Sequence, residues 1–216
     1  MTQNEEQLSA LNDIRNMMER SSKFISLNGF SGVFIGIFAL AGAVIIYLFF
    51  DFKGTSYSRF IDIFSDGHNT VTMHFLLTVT LSVLILSLFV SSLLTIRKAK
   101  KNGLKIWDST TKRMLINLMI PLFTGGFFCL ILLYHGLTGL IAPAMLIFYG
   151  LALINSSKYT FFEIRYLGIA EIVLGLIASV FVSSGLILWA AGFGLLHIIY
   201  GIIMYYKYER KPLVKE

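Results

Sequence analysis

Apolar residues gather in long runs along this chain, and the polar ones fall between them. Six runs reach the length at which a helix crosses a bilayer, about 20 residues. They lie at 26–50, 71–96, 114–135, 137–155, 164–182 and 185–206. The pattern predicts an all-α integral membrane fold of six transmembrane helices, preceded by a cytoplasmic helix over 1–25 and followed by a basic tail over 207–216. In that first segment Leu8, Leu11, Ile14 and Met18 recur at helical spacing while Glu5, Glu6, Asp13, Glu19 and Arg20 occupy other faces, which predicts an amphipathic helix. Such a helix can lie on the membrane, pack on the bundle or dock a cytoplasmic protein. Its mixed charges do not form a cleavable leader, so the first span is expected to act as an uncleaved anchor.

The connections sharpen the arrangement. Only His135-Gly136-Leu137-Thr138 joins spans three and four, and only Ser183-Ser184-Gly185 joins spans five and six, so each pair must turn back as an antiparallel hairpin. With spans one and two, the chain reads as three sequential hairpins. Each follows a similar quartet: Ser21-Ser22-Lys23-Phe24, Thr110-Thr111-Lys112-Arg113 and Ser156-Ser157-Lys158-Tyr159. Residues 27–36 can also be laid over 166–175, matching Gly29 with Gly168 and Gly36 with Gly175, and Tyr149-Gly150 matches Tyr200-Gly201. Repetition of one unit and chance likeness among apolar segments both fit these matches.

Composition agrees with lipid as the solvent: 56% of residues are hydrophobic, 14% are charged, and the mean hydropathy is +0.76. The net charge of +6 does not point to nucleic acid, because the basic residues sit at the ends of the apolar runs. A cytoplasmic N-terminus puts 16 of the 18 Lys and Arg residues inside: three before the first span, seven between spans two and three, two between four and five, and four at the end. By the positive-inside rule both termini are expected in the cytoplasm. A bacterial inner membrane is the expected location. The lone Cys129 rules out an intrachain disulfide and a cysteine metal cluster.

Small residues mark where helices are expected to meet. Gly32 and Gly36 form a GxxxG, and Gly168 with Gly175 and Gly194 with Gly201 repeat on single faces. Most of these faces are expected to pack within the chain, and the first also offers a homo-oligomer contact. Two ionisable residues stand out because a charge at mid-membrane costs about 2.5–3.5 kcal/mol on insertion scales. Glu171 lies 13 residues before Ser184 and His197 lies 13 residues after it. Equal distance from a hairpin turn means equal depth, so the two form a candidate intramembrane polar pair. They can satisfy each other structurally, Glu171 can stand protonated and hydrogen-bonded, or the pair can carry a proton. Pro143 is expected to bend span four. His68, His74 and His135 lie toward the outer surface without metal-site spacing, so no metal site and no cofactor is assigned.

No phosphate-binding loop, nucleophile elbow or voltage-sensor arginine pattern is present, and no enzyme signature is read here. The stretch from Gly168 to Leu176, running on to Gly192-Phe193-Gly194 and His197-Ile198-Ile199-Tyr200-Gly201, resembles the HdeD-like small bacterial membrane proteins. The whole chain is similar to uncharacterised membrane proteins of the Bacteroidetes type. The resemblance implies six helices in glycine-rich hairpins and a role in acid and stress resistance; it carries over no catalytic residue. The sequence departs from that family in having Ser183-Ser184-Gly185 where a proline is usual, and in its N-terminal extension. The expected function is a non-enzymatic structural or stress-response component. A small proton-coupled transporter, channel or sensor using Glu171 and His197 is the alternative, and a metal-dependent lipid enzyme a second.

Overall fold

A computed structural model describes Gln7 and residues 29–52, 70–103 and 106–210. The helix expected over 1–25, Gln7 apart, the loop 53–69 with His68, and the tail from 211 lie outside the described residues.

Among the described residues the chain is all helical. Helix α1 spans Gly29–Phe52, α2 Thr70–Lys101 and α3 Ser109–Tyr134. Helix α4, Ile141–Ser156, is flanked by short 3-10 turns that make Thr138–Tyr159 one rod. Helix α5 covers Glu163–Val180. The last rod, Val182–Glu209, combines α6 (Gly185–Trp189), a π-helical segment (Ala190–Leu196), α7 (His197–Met204) and a second π-helical segment (Tyr205–Glu209).

Five of these rods are long and apolar enough to cross a membrane. Helix α5 falls outside that group because Glu163, Arg165 and Glu171 break its apolar run. Helix α2 exposes Leu81, Leu84, Ile85, Leu88 and Phe89, and only 6% of its most apolar stretch is buried inside the protein. Water would not tolerate so continuous an apolar surface. Several such helices in one chain are the mark of a multi-pass membrane protein.

Packing follows the small residues. Helix α1 lies against α2 and against the last rod; α3 lies against α4; α4 lies most extensively against α5. The last rod therefore packs mainly on α1, and α5 meets it chiefly along α6 and the first π-helical segment. Both major seams are glycine interlocks. A Cβ added at Gly168 would lie 2.7 Å from the Gly150 carbonyl oxygen, and one at Gly29 would lie 2.8 Å from that of Gly201. At Gly175 the added atom would meet Ile147 and the Pro143 carbonyl, and at Gly36 it would meet Ile198 and the Gly194 carbonyl. These partners keep the sequence register in which Gly29 matches Gly168 and Gly150 matches Gly201. The same helix-to-helix contact is made twice in one chain.

Gly32 and Gly36 thus face the last rod from within the chain, so this GxxxG is filled internally. Polar ties close the end of the bundle where α2 finishes. One Glu209 carboxyl oxygen accepts from the Gly29 amide at 2.7 Å and from the Lys98 ammonium at 3.0 Å, joining α1, α2 and the last rod. Lys207 and the Tyr208 hydroxyl both donate to Glu163 at the start of α5.

The expected bend at Pro143 is corrected. Pro143 stands in the first turn of α4, where its missing N–H removes no helix bond. Pro121, inside α3, is the proline that interrupts a helix ladder. It cannot donate to the carbonyl four residues back, that of Asn117. The Asn155 side-chain amide donates to this carbonyl instead, at 3.4 Å.

Candidate functional site

Glycine spacing along α5 and the last rod sets the site. Gly168 and Gly175 draw α5 onto α4, and Gly194 and Gly201 draw the last rod onto α1. Between these seams Glu171 of α5 and His197 at the start of α7 point toward one another. The Glu171 Oε1 to His197 Nδ1 distance is 3.4 Å, and their side chains are 0% and 2% exposed. The structure thus places the two sequence-predicted polar residues side by side in the interior.

The imidazole is fixed from both sides. Its Nδ1 lies 3.0 Å from the carbonyl of Gly192, and its Nε2 lies 2.7 Å from the Tyr149 hydroxyl. A carbonyl can only accept, so Nδ1 carries the proton in that bond, and in the neutral ring Nε2 accepts from Tyr149. The Gly192 carbonyl belongs to the π-helical segment, where wider turns shift the backbone ladder. Gly192 also makes room for the carboxyl, since a Cβ there would collide with Glu171 Oε2 and with the fully buried Leu146. Phe193 stacks on the ring at 6.1 Å between centroids, and Tyr149 lies tilted against both.

Glu171 is less well provided for. The nearest donor, Nδ1–H, is directed to Gly192, and neither carboxyl oxygen has a hydrogen-bond partner among the described residues. A carboxyl and an imidazole at this separation can pass one proton between them. Reaching either from bulk water requires the surrounding helices to part, because Leu146, His197 and Glu171 are among the most deeply buried side chains.

Tyr149 is the member that the sequence reading missed. The signal was present: Tyr149 lies 13 residues beyond Gly136 at the turn between α3 and α4, as His197 lies 13 beyond Ser184. The same depth rule puts all three residues on one level. The two other described histidines take no part. His74 is on α2, and His135 closes α3 with its ring against Tyr134. Among the described residues no three His, Cys, Asp or Glu side chains gather as a metal site would require.

The fold and this buried cluster define a multi-pass helical membrane protein with a polar core. No family model, curated protein or solved structure matches the chain.

Proposed function

We propose that this protein is a non-enzymatic structural or stress-response component of a bacterial inner membrane, HdeD-like in type. In this reading it has six spans in three antiparallel hairpins, with α5 as the fifth span and both termini cytoplasmic. Glu171, His197 and Tyr149 form an internal polar tie between α4, α5 and the last rod. The complete burial of Glu171 and His197 supports this role, since a transport path needs water at their depth. Glu171→Gln and His197→Gln variants should accumulate to lower levels and melt at lower temperature, with acid survival falling in proportion to abundance. Normal abundance and melting with lost acid survival would overturn the proposal.

A second reading, a proton-coupled transporter or sensor, is favoured by one observation: both Glu171 oxygens, beside a π-helical segment, lack a hydrogen-bond partner among the described residues. Buried groups left in this state are often functional. Proton flux into vesicles holding the wild-type protein, absent with Glu171→Gln, would support it. Equal leak from both would remove it.

A further inference from the structure

Helices α3 and α4 are in contact along their length, but they leave a groove on the outer surface. Its volume is about 390 Å³, and Pro121, Thr124, Phe148, Leu151, Ile154 and Asn155 line it. The register follows from two contacts. Asn155 bonds the Asn117 carbonyl, and a Cβ at Gly125 would collide with Phe148. Running antiparallel between those points, Pro121 comes level with Leu151 and Thr124 with Phe148. The tilted ring pair Phe128 and Phe148, 5.6 Å between centroids, continues this contact one turn beyond Thr124.

Continuing outward in the same register, Arg113 comes level with Lys158. Arg113, Asn117, Pro121 and Thr124 share one face of α3, at successive spacings of four, four and three. Leu151, Asn155 and Lys158 share one face at the end of the fourth rod. The lined groove is aromatic and aliphatic and ends at the Asn155 amide, and beyond it the same two faces carry the exposed cations Arg113 and Lys158. Arg113 and Lys158 have no ion-pair partner among the described residues. Trp107, largely exposed, stands just before α3 with Lys112 over its ring, as interfacial tryptophans do. From Arg113 to Thr124 the helix rises about 16 Å, roughly half a hydrocarbon core.

We propose that this groove holds one anionic phospholipid of the cytoplasmic leaflet, its phosphate between Arg113 and Lys158 and an acyl chain along Pro121, Leu151 and Phe148. A neutral lipid would fill the apolar part equally well, so the two cations supply the selectivity. Basic clefts between spans on the cytoplasmic side bind acidic headgroups by this chemistry. The leaflet assignment rests on the six-span, inside-terminus reading; the binding itself does not.

The test uses the full chain in mild detergent, titrated with phosphatidylglycerol or with phosphatidylcholine of the same chains, and bound lipid is counted by native mass spectrometry. Both faces of the protein are accessible in detergent, so an inverted topology would leave the binding intact and the two proposals fail separately. The wild type should retain one phosphatidylglycerol in preference to phosphatidylcholine. R113Q/K158Q should weaken that binding roughly 20-fold or more, at about fivefold per cation. R113K/K158R should restore it, and Leu151→Trp should exclude both lipids by filling the groove. Arg165→Gln, removing an exposed cation on α5, should change nothing. Equal retention of the two lipids would overturn the proposal. So would an Arg165→Gln loss as large as that of R113Q/K158Q, which would mean a diffuse basic belt.

Discussion

Gly150 and Gly168 lie so close that a methyl group on either would enter the other's carbonyl oxygen, at 2.5 and 2.7 Å. Gly201 and Gly29 stand in the same relation at 2.7 and 2.8 Å. Lipid offers no hydrophobic reward for bringing helices together, so backbone proximity carries the association. Alanine at any of the four should force the backbones apart. We expect each such variant to lose about 1–3 kcal/mol in detergent melting or denaturant titration. Gly126→Ala is the contrast: it lies in α3 with open space around it, so added helix propensity should stabilise it by about 0.5–1 kcal/mol.

Two tyrosines one register apart make opposite predictions. Tyr149→Phe removes the only side-chain partner of His197 Nε2 among the described residues and should cost about 1–3 kcal/mol. The Tyr200 hydroxyl is buried with no partner among the described residues, so Tyr200→Phe should be neutral or mildly stabilising. Thermal unfolding of the two variants side by side decides the matter. If Tyr149→Phe melts with the wild type, the hydroxyl is not holding the imidazole.

Asp108 caps α3 by accepting from the Thr111 amide at 2.7 Å, and that bond holds its carboxyl below the usual carboxylate range. A lowered folded value means the cap contributes fully above the unfolded value, about 3.9, and is lost as pH falls through the folded one. Hydrogen exchange at residues 109–112 should therefore accelerate only below about pH 4 relative to an Asp108→Asn variant. Asp108→Ala should lose about 1 kcal/mol of helix-end stability at neutral pH.

The proline and the asparagine between α3 and α4 should behave as a coupled pair. Asn155→Leu leaves the Asn117 carbonyl without the amide that replaces its helix bond, a loss of about 1–3 kcal/mol. Pro121→Ala restores an N–H four residues on. In the double variant most of the Asn155→Leu penalty should vanish, and a double-mutant cycle of melting free energies reads the coupling directly. Additive losses would mean that Asn155 acts through packing alone.

How much of this was legible beforehand differs by feature. The long apolar runs announce their rods, because a span's length is set by the bilayer and not by its neighbours. Helix boundaries moved where charged ends stay helical: α2 continues from Ile96 through Arg97 and Lys98 to Lys101. Gly29, Gly36, Gly150, Gly168, Gly175 and Gly201 could be matched by register, but which helix each would touch could not. Sequential hairpins pointed to α5 against the last rod, whereas α5 rests chiefly on α4. The meeting of Glu171 and His197 was readable from turn distances. The π-helical segment that turns the Gly192 carbonyl to the ring was not, since π turns carry no sequence pattern of their own. The expectation for Pro143 failed because a proline's effect depends on whether it falls in a first turn, as Pro143 does, or in a helix interior, as Pro121 does.

The partners of the two glycine interlocks become available at very different moments of synthesis. Gly150 and Gly168 are separated by one short connection and can close as soon as α5 has been made. Gly29 must wait for Gly201, which at 5–20 residues per second is a delay of roughly 10 to 30 s. During that interval the first helix stands in lipid with its small-residue face bare, open to any other helix that can approach it. The nascent chain is thus most vulnerable to mispairing at its oldest span, and the arrival of its youngest ends that exposure.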